Sequence, residues 1–145
     1  YKDFGESDGS LVWLIRRYDV WWCNFAFYGD ENAKTYLVRY ENDWQPTGHW
    51  TYPAEMQRAM GKFSISGGVW HNDDLLVTDH DSRTLYHLRL PAEGTVLTYI
   101  GEISAPFTGQ GIAADPVTGG LIGINRGKRQ LIFATLQTLQ ADAYE

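Results

Sequence analysis

Three consecutive residues, Asp79, His80 and Asp81, concentrate the ionisable chemistry of this 145-residue chain. Two carboxylates beside an imidazole can ligate a divalent metal such as calcium, or exchange protons in general acid–base work. The first carboxylate also has a plainer use, because an Asx side chain at a strand end closes the following turn by bonding to backbone a few residues on. No Ser/His/Asp order, nucleophile elbow, phosphate loop or paired-cysteine metal pattern accompanies the triplet. Cys23 is the only cysteine, which excludes an intrachain disulfide, and its aromatic surroundings read as those of a small buried hydrophobe. His49 and His87 fall in strand patterns and read as surface positions.

The elements that must position the triplet show themselves by repetition. DLLVTDHDSRTLYHLRL (74–90) lies without gaps over GLIGINRGKRQLIFATL (120–136) at a shift of 46, with identities at Leu75/Leu121, Arg83/Arg129, Leu85/Leu131 and Leu90/Leu136. Tyr86, Leu88 and Leu90 alternate with His87 and Arg89, the period of a strand. Upstream of each hairpin stands a Gly-rich strand, SGGVW (66–70) and GQGIA (109–113), aligned at a shift of 43, and TVLTYIGEI (95–103) reads as a fourth strand. An earlier copy adds LVWLIRR (11–17), DVWWCNFAFY (19–28) and TYLVRY (35–40), with Tyr36 over Tyr86 and Arg39 over Arg89. The alignment sets Asn24 and Asn125 at the place of Asp79, whereas His80 and Asp81 become Arg126 and Gly127 in the last copy. The fold therefore demands an Asx residue at that strand end and leaves His80 and Asp81 available for function.

Composition bounds what such a repeat does. A content of 43% hydrophobic residues excludes disorder, and six Trp, nine Tyr, six Phe, 15 Gly and five Pro favour strands punctuated by turns. A net charge of −6 offers no field for nucleic acid and favours cationic ligands or metals. No apolar stretch approaches the ~18 residues that span a bilayer, so a soluble protein without membrane association is expected. The chain opens on Tyr1 without an initiator Met or signal-peptide pattern, as a processed or excised segment would.

Four short strands per 45–50 residues is the period of a β-propeller blade. The expected fold is all-β, a β-propeller segment of about three four-stranded antiparallel blades spanning about 10–53, 64–106 and 109–145. GGVW…DLLVTDHDSRTLYHLRLP and GQGIAADPVTGGLIGINRGKRQLIF resemble blades of six-bladed propellers of the NHL, YWTD and gluconolactonase-like kind. The resemblance implies innermost strands around a central channel, with the loops between second and third strands on the ligand-binding face. Ser66, Gly67, Gly68, Gln110 and Gly111 then line the channel, and Gln110, whose amide needs a partner there, is the preferred pocket residue.

The expected ligand site at the channel mouth comprises Gln110, His80, Asp81, Ser66 and Arg126, with Asp79, His80 and Asp81 as the weaker metal set. The function that follows is a binding or assembly scaffold; the alternative is an enzyme of the lactonase or cycloisomerase kind. Three blades are half a six-bladed ring, and bare blade flanks need cover. A homodimer closing a pseudo-six-bladed ring, or further blades of a longer chain, is the expected partner. AEMQRAM (54–60) should form a short helix ending at Gly61, either as a lid over the channel or packed through Met56 and Met60.

Overall fold

A computed structural model describes residues 1–5 and 9–136. Their strands form three antiparallel sheets. Sheet 1 runs β1 (Ser10–Arg17), β2 (Val20–Ala26), β3 (Tyr36–Tyr40), β4 (Pro46–Thr51). Sheet 2 repeats the order with β5 (Gly67–His71), β6 (Asp74–Thr78), β7 (Thr84–Arg89) and β8 (Thr98–Ser104). Sheet 3 holds β9 (Ile112–Ala114), β10 (Leu121–Asn125) and β11 (Gln130–Ala134). The chain is all-β, as expected, and its sheets are open meanders; the fourth strand expected for the last copy lies outside the described residues. Tyr18 and Asp19, both at positive φ, form the two-residue link between β1 and β2, the turn geometry that suits the twist of a hairpin.

The 46-residue echo is a true register. Leu75 pairs with Leu88, and Leu121 pairs with Ala134, each 46 positions on. In sheet 1, Phe25 pairs with Tyr36, as Val77 pairs with Tyr86 and Gly123 with Ile132, and Cys23 pairs with Val38, as Leu75 pairs with Leu88 and Leu121 with Ala134. This register corrects two of the expected equivalences. Asn24 does not stand at the place of Asp79: it lies inside β2, paired with Leu37, and its Oδ1 accepts a 2.7 Å bond from the Tyr52 hydroxyl instead of closing a turn. The innermost strands are offset by one, since Val69 pairs with Leu76 as Ala113 pairs with Ile122, so Gly111 and not Gln110 matches Gly67.

The sheets pack face to face. Trp22 and Leu37 of sheet 1 meet Trp70, Leu75, Tyr86 and Leu88 of sheet 2, with the Trp22 and Trp70 rings edge to face at 4.9 Å. The helix α1 (Ala54–Met60) drives Met56 and Met60, both fully buried, into this same cluster. It is therefore a core element, not a lid. Val69, Leu76 and Leu85 of sheet 2 meet Leu121 of sheet 3 around Phe107. On the far side of sheet 1, Cys23, Phe25 and Val38 are covered by Phe4 and Trp44. Burial pushes the Cys23 thiol up to about 11, which leaves it protonated and inert at neutral pH.

At the inner edge the sheets approach so closely that side chains are excluded. A Cβ on Gly67 would overlap the Gln110 carbonyl oxygen, and one on Gly68 would overlap the Trp13 ring. His87 is not the surface residue its polar character suggests. It is 8% exposed, and its Nε2 bonds at 2.5 Å to Asp74, whose carboxylate also accepts from Arg89 Nε at 2.6 Å. Burial alone would raise the Asp74 pKa; the hydrogen bonds from Arg89 and His87 outweigh it and hold the carboxyl below its ordinary value.

Two outcomes follow. Gly67→Ala must part the inner strands against backbone and should lose about 3 kcal/mol in urea unfolding; an unchanged midpoint would show the contact to be soft. The ionised Asp74 stabilises the fold above about pH 4, and that contribution fades as pH falls through the lower folded-state value. Asp74→Asn should cost about 2 kcal/mol at pH 7 and converge on the parent as pH falls through that lower value. Parallel stability–pH curves would contradict this.

Candidate functional site

The three innermost strands define the principal cavity. Here β5 lies between β1 and β9, and together with the segments flanking them they line a cleft of about 1070 Å³, at the upper end for small-molecule sites. Its wall is aromatic through Trp13 and Trp70 and polar through Arg17, Ser66, His80 and Gln110.

Each expected site residue has a defined place. Gln110 sits just before β9 with φ at 114°, a conformation disfavoured for any residue bearing a Cβ. Its side-chain Oε1 accepts a 2.9 Å bond from Arg126 Nη1, which ties the β10–β11 turn to the cleft rim. Ser66 lines the cleft and donates from Oγ to the Ser64 carbonyl at 3.3 Å. His80 lines it too, and its Nδ1 donates to the Asp81 carboxylate at 2.6 Å. Asp81 and Arg126 do not line the cleft themselves; each reaches it through a lining partner. The structure thus gathers Ser66, His80 and Gln110 on one rim, with Asp81 and Arg126 behind them.

Asp79 points the other way. Its side chain is buried and accepts from the backbone N–H of Asp81 and Ser82 at 3.1 and 2.7 Å, from Ser82 Oγ at 2.7 Å, and from the Tyr86 hydroxyl at 2.8 Å. Burial, then the bond to Asp79, pushes the Tyr86 hydroxyl well above its ordinary value, so it remains a donor. Asp79 therefore closes the turn, as Asn125 does when its Oδ1 accepts from Lys128 N–H at 3.3 Å. Among the described residues no three His, Cys, Asp or Glu side chains converge as metal ligands. The weaker set of Asp79, His80 and Asp81 is divided between the interior and the rim.

Arg17, Trp13 and Tyr28, which the sequence did not place at the channel mouth, also line the cleft. The signal was present, because LVWLIRR had been placed as the first strand of its copy and so stands in the rank of β5 and β9. Arg17 lies over the Trp70 ring, its Cζ 4.6 Å from the centroid, donates to the Asn72 carbonyl, and pairs with Asp73 at 3.0 Å. Among the described residues no Asp or Glu lines the cleft, while Arg16, Arg17 and His80 do. The acidic balance of the chain is thus not carried by the described lining of the cavity. The indole Nε1 atoms of Trp13 and Trp70 have no hydrogen-bond partner among the described residues.

No family model matches the chain, and neither does any curated protein. The outcome that tests the division of the triplet is stability. Asp79→Ala should cost about 3 kcal/mol, because it strands buried donors, whereas His80→Ala and Asp81→Ala should each change stability by less than about 0.5 kcal/mol. The opposite order in urea unfolding would refute the assignment.

Proposed function

We propose that the chain is a binding and assembly scaffold, a propeller segment of three blades whose ring is completed by further blades and whose inner cleft is the ligand site. One observation carries the assembly part. In sheet 2 the face turned to sheet 3 holds Leu76, Thr78, Leu85 and His87, exposed by 0, 1, 2 and 8%. The register equivalents in sheet 3 are Ile122, Ile124, Leu131 and Phe133, of which the last three are exposed by 39, 66 and 65%. The positions that sheet 2 uses to bury itself are more apolar in sheet 3, and no further sheet covers them among the described residues. Covering each large side chain is worth about 1.5–3 kcal/mol, so a partner gains several kcal/mol from this face alone.

The cleft supports the binding part. Its aromatic wall and a rim of serine, histidine and glutamine suit a small polar ligand that stacks and accepts hydrogen bonds, uncharged or anionic. No helix among the described residues is long and apolar enough to cross a membrane. Light scattering of the purified chain tests the reading. A mass of more than one chain is expected, and a monodisperse species of 16.5 kDa at micromolar concentration would overturn it.

A further inference from the structure

The half-ring carries both halves of the interface that would close it. Cys23, Phe25, Tyr36 and Val38, on the far face of sheet 1, are the register equivalents of Leu75, Val77, Tyr86 and Leu88 in sheet 2. In sheet 2 that face receives sheet 1, and in sheet 3 the corresponding face, with Leu121 and Ile132, receives sheet 2. Among the described residues no sheet lies on this receiving face of sheet 1, where Cys23, Phe25 and Val38 are buried beneath the aromatic side chains of Phe4, Tyr40 and Trp44, and none lies beyond the donating face of sheet 3.

A wedge is already in place on the receiving face. Where sheet 2 meets sheet 3, Phe107, in the link before β9, lies flat on Gly123 and is 1% exposed among Val69, Leu76 and Leu85. Phe4 holds the matching place before β1. Its ring lies 5.8 Å from Phe25, edge to face, and Phe25 is the equivalent of Gly123. Phe107 is sandwiched between two sheets, whereas Phe4 has one, and it is only partly buried.

Resting on the ring-completion reading, we propose that the far face of sheet 1, with Phe4 as a preset wedge, receives the outer face of sheet 3 of a second copy of this chain. Charge supports a second copy as the occupant. The β10–β11 turn exposes Arg126, Lys128 and Arg129 in a chain of net charge −6, and the β2–β3 link exposes Asp30 and Glu31, of which Glu31 pairs with Lys34 at 2.9 Å and Asp30 leaves the link net acidic. Both join a second strand to a third, so they lie at the same end of their sheets, and the docking sets basic turn beside acidic link. A twofold axis along the cleft would join sheet 3 of each copy to sheet 1 of the other, which closes the assembly and leaves neither face bare. On the partner, Ile122 and Leu131 take over against Phe4 the role that Leu76 and Leu85 play against Phe107.

The test uses the full chain in four forms: unaltered, Phe4→Asp, Phe4→Leu, and the double variant Leu131→Asp/Phe133→Asp. Light scattering follows the mass, and circular dichroism confirms the strands. The unaltered chain and Phe4→Leu should run as two chains, and each charged variant as one, with affinity reduced by about 100-fold or more. Equal amounts of Phe4→Asp and the double variant should associate when mixed, since the pair retains one intact interface. Phe4→Ser repeats the measurement should Phe4→Asp lose its strand signal. Undiminished assembly of the Phe4 variants would overturn the wedge and leave ring completion standing, and failure of the mixture to associate would overturn the pairing of faces. A single-chain mass for the unaltered protein would overturn both.

Discussion

Every sheet in this molecule has two apolar faces, and the rest of the structure follows from the need to cover them. Sheet 2 meets the need completely: Trp70, Leu75 and Leu88 lie against sheet 1, and Val69, Leu76 and Leu85 lie against sheet 3. Sheets buried on both sides show near-continuous apolar runs, and DLLVT has that character. The close approach this requires accounts for Gly67 and Gly68 at the inner edge, where a Cβ would strike the neighbouring sheet. It also accounts for α1, whose buried methionines add volume where sheets 1 and 2 alone do not fill the space. Sheets 1 and 3 meet the need on one side only, and they differ in how the other side is left. Phe4 and Trp44 shelter the first, with Trp21 and Trp44 stacked at 5.5 Å, while Leu131 and Phe133 stand open on the second.

The parts of this plan that were legible in sequence share one property: they repeat without insertion. The hairpin β6–β7 and its copy β10–β11 keep a single shift because both turns have the same length, and so the shift survives as a hydrogen-bond register. The equivalences that failed lie next to a change in length. The longer turn before β10 displaced the inner-strand alignment by one, and a slip of one residue turns a strand's side chains to the opposite face. Asn24 was misplaced beside the longer β2–β3 link, and the register irregularity between Leu11 and Trp13 disturbs the same sheet. His87 failed for a different reason. A polar residue on a strand reads as an outward one unless its partners are known, and here Asp74, thirteen residues earlier, makes burial tolerable.

The placement of three cleft residues was legible in sequence, and their contacts were not. Ser66, His80 and Gln110 do share a rim, because each was placed from the rank of its strand or loop within the repeat, and rank is what a repeat preserves. What the repeat could not convey is that adjacent residues serve opposite ends of the chemistry. Asp79 is drawn inward by Tyr86, a contact set by where the β7 side chains point, and the next two residues are thereby turned outward. Buried polar groups in this protein are mostly committed in this way: Asp79 to Tyr86, Asn24 to Tyr52, Thr35 to Ser64. Such pairs fix how the sheets seat and leave little uncommitted chemistry in the interior.

What remains uncommitted lies at the inner rim, and its position ties binding to assembly. The cleft has one wall, made by β1, β5 and β9, and the opposite wall of a closed ring would come from the partner's inner strands. A ligand touching both walls binds the closed form better than the open one and stabilises closure by the ratio of those affinities. A ligand held by one wall alone gives no such bias. Gln110 stands where the two cases divide. Its backbone is strained, its carbonyl presses on Gly67, and its side chain is joined to Arg126 in the basic turn that the proposed docking would set beside a second copy. A contact made at that turn and a contact made in the cleft therefore meet in one residue, which under the proposed ring closure would make Gln110 the physical link between assembly and ligand.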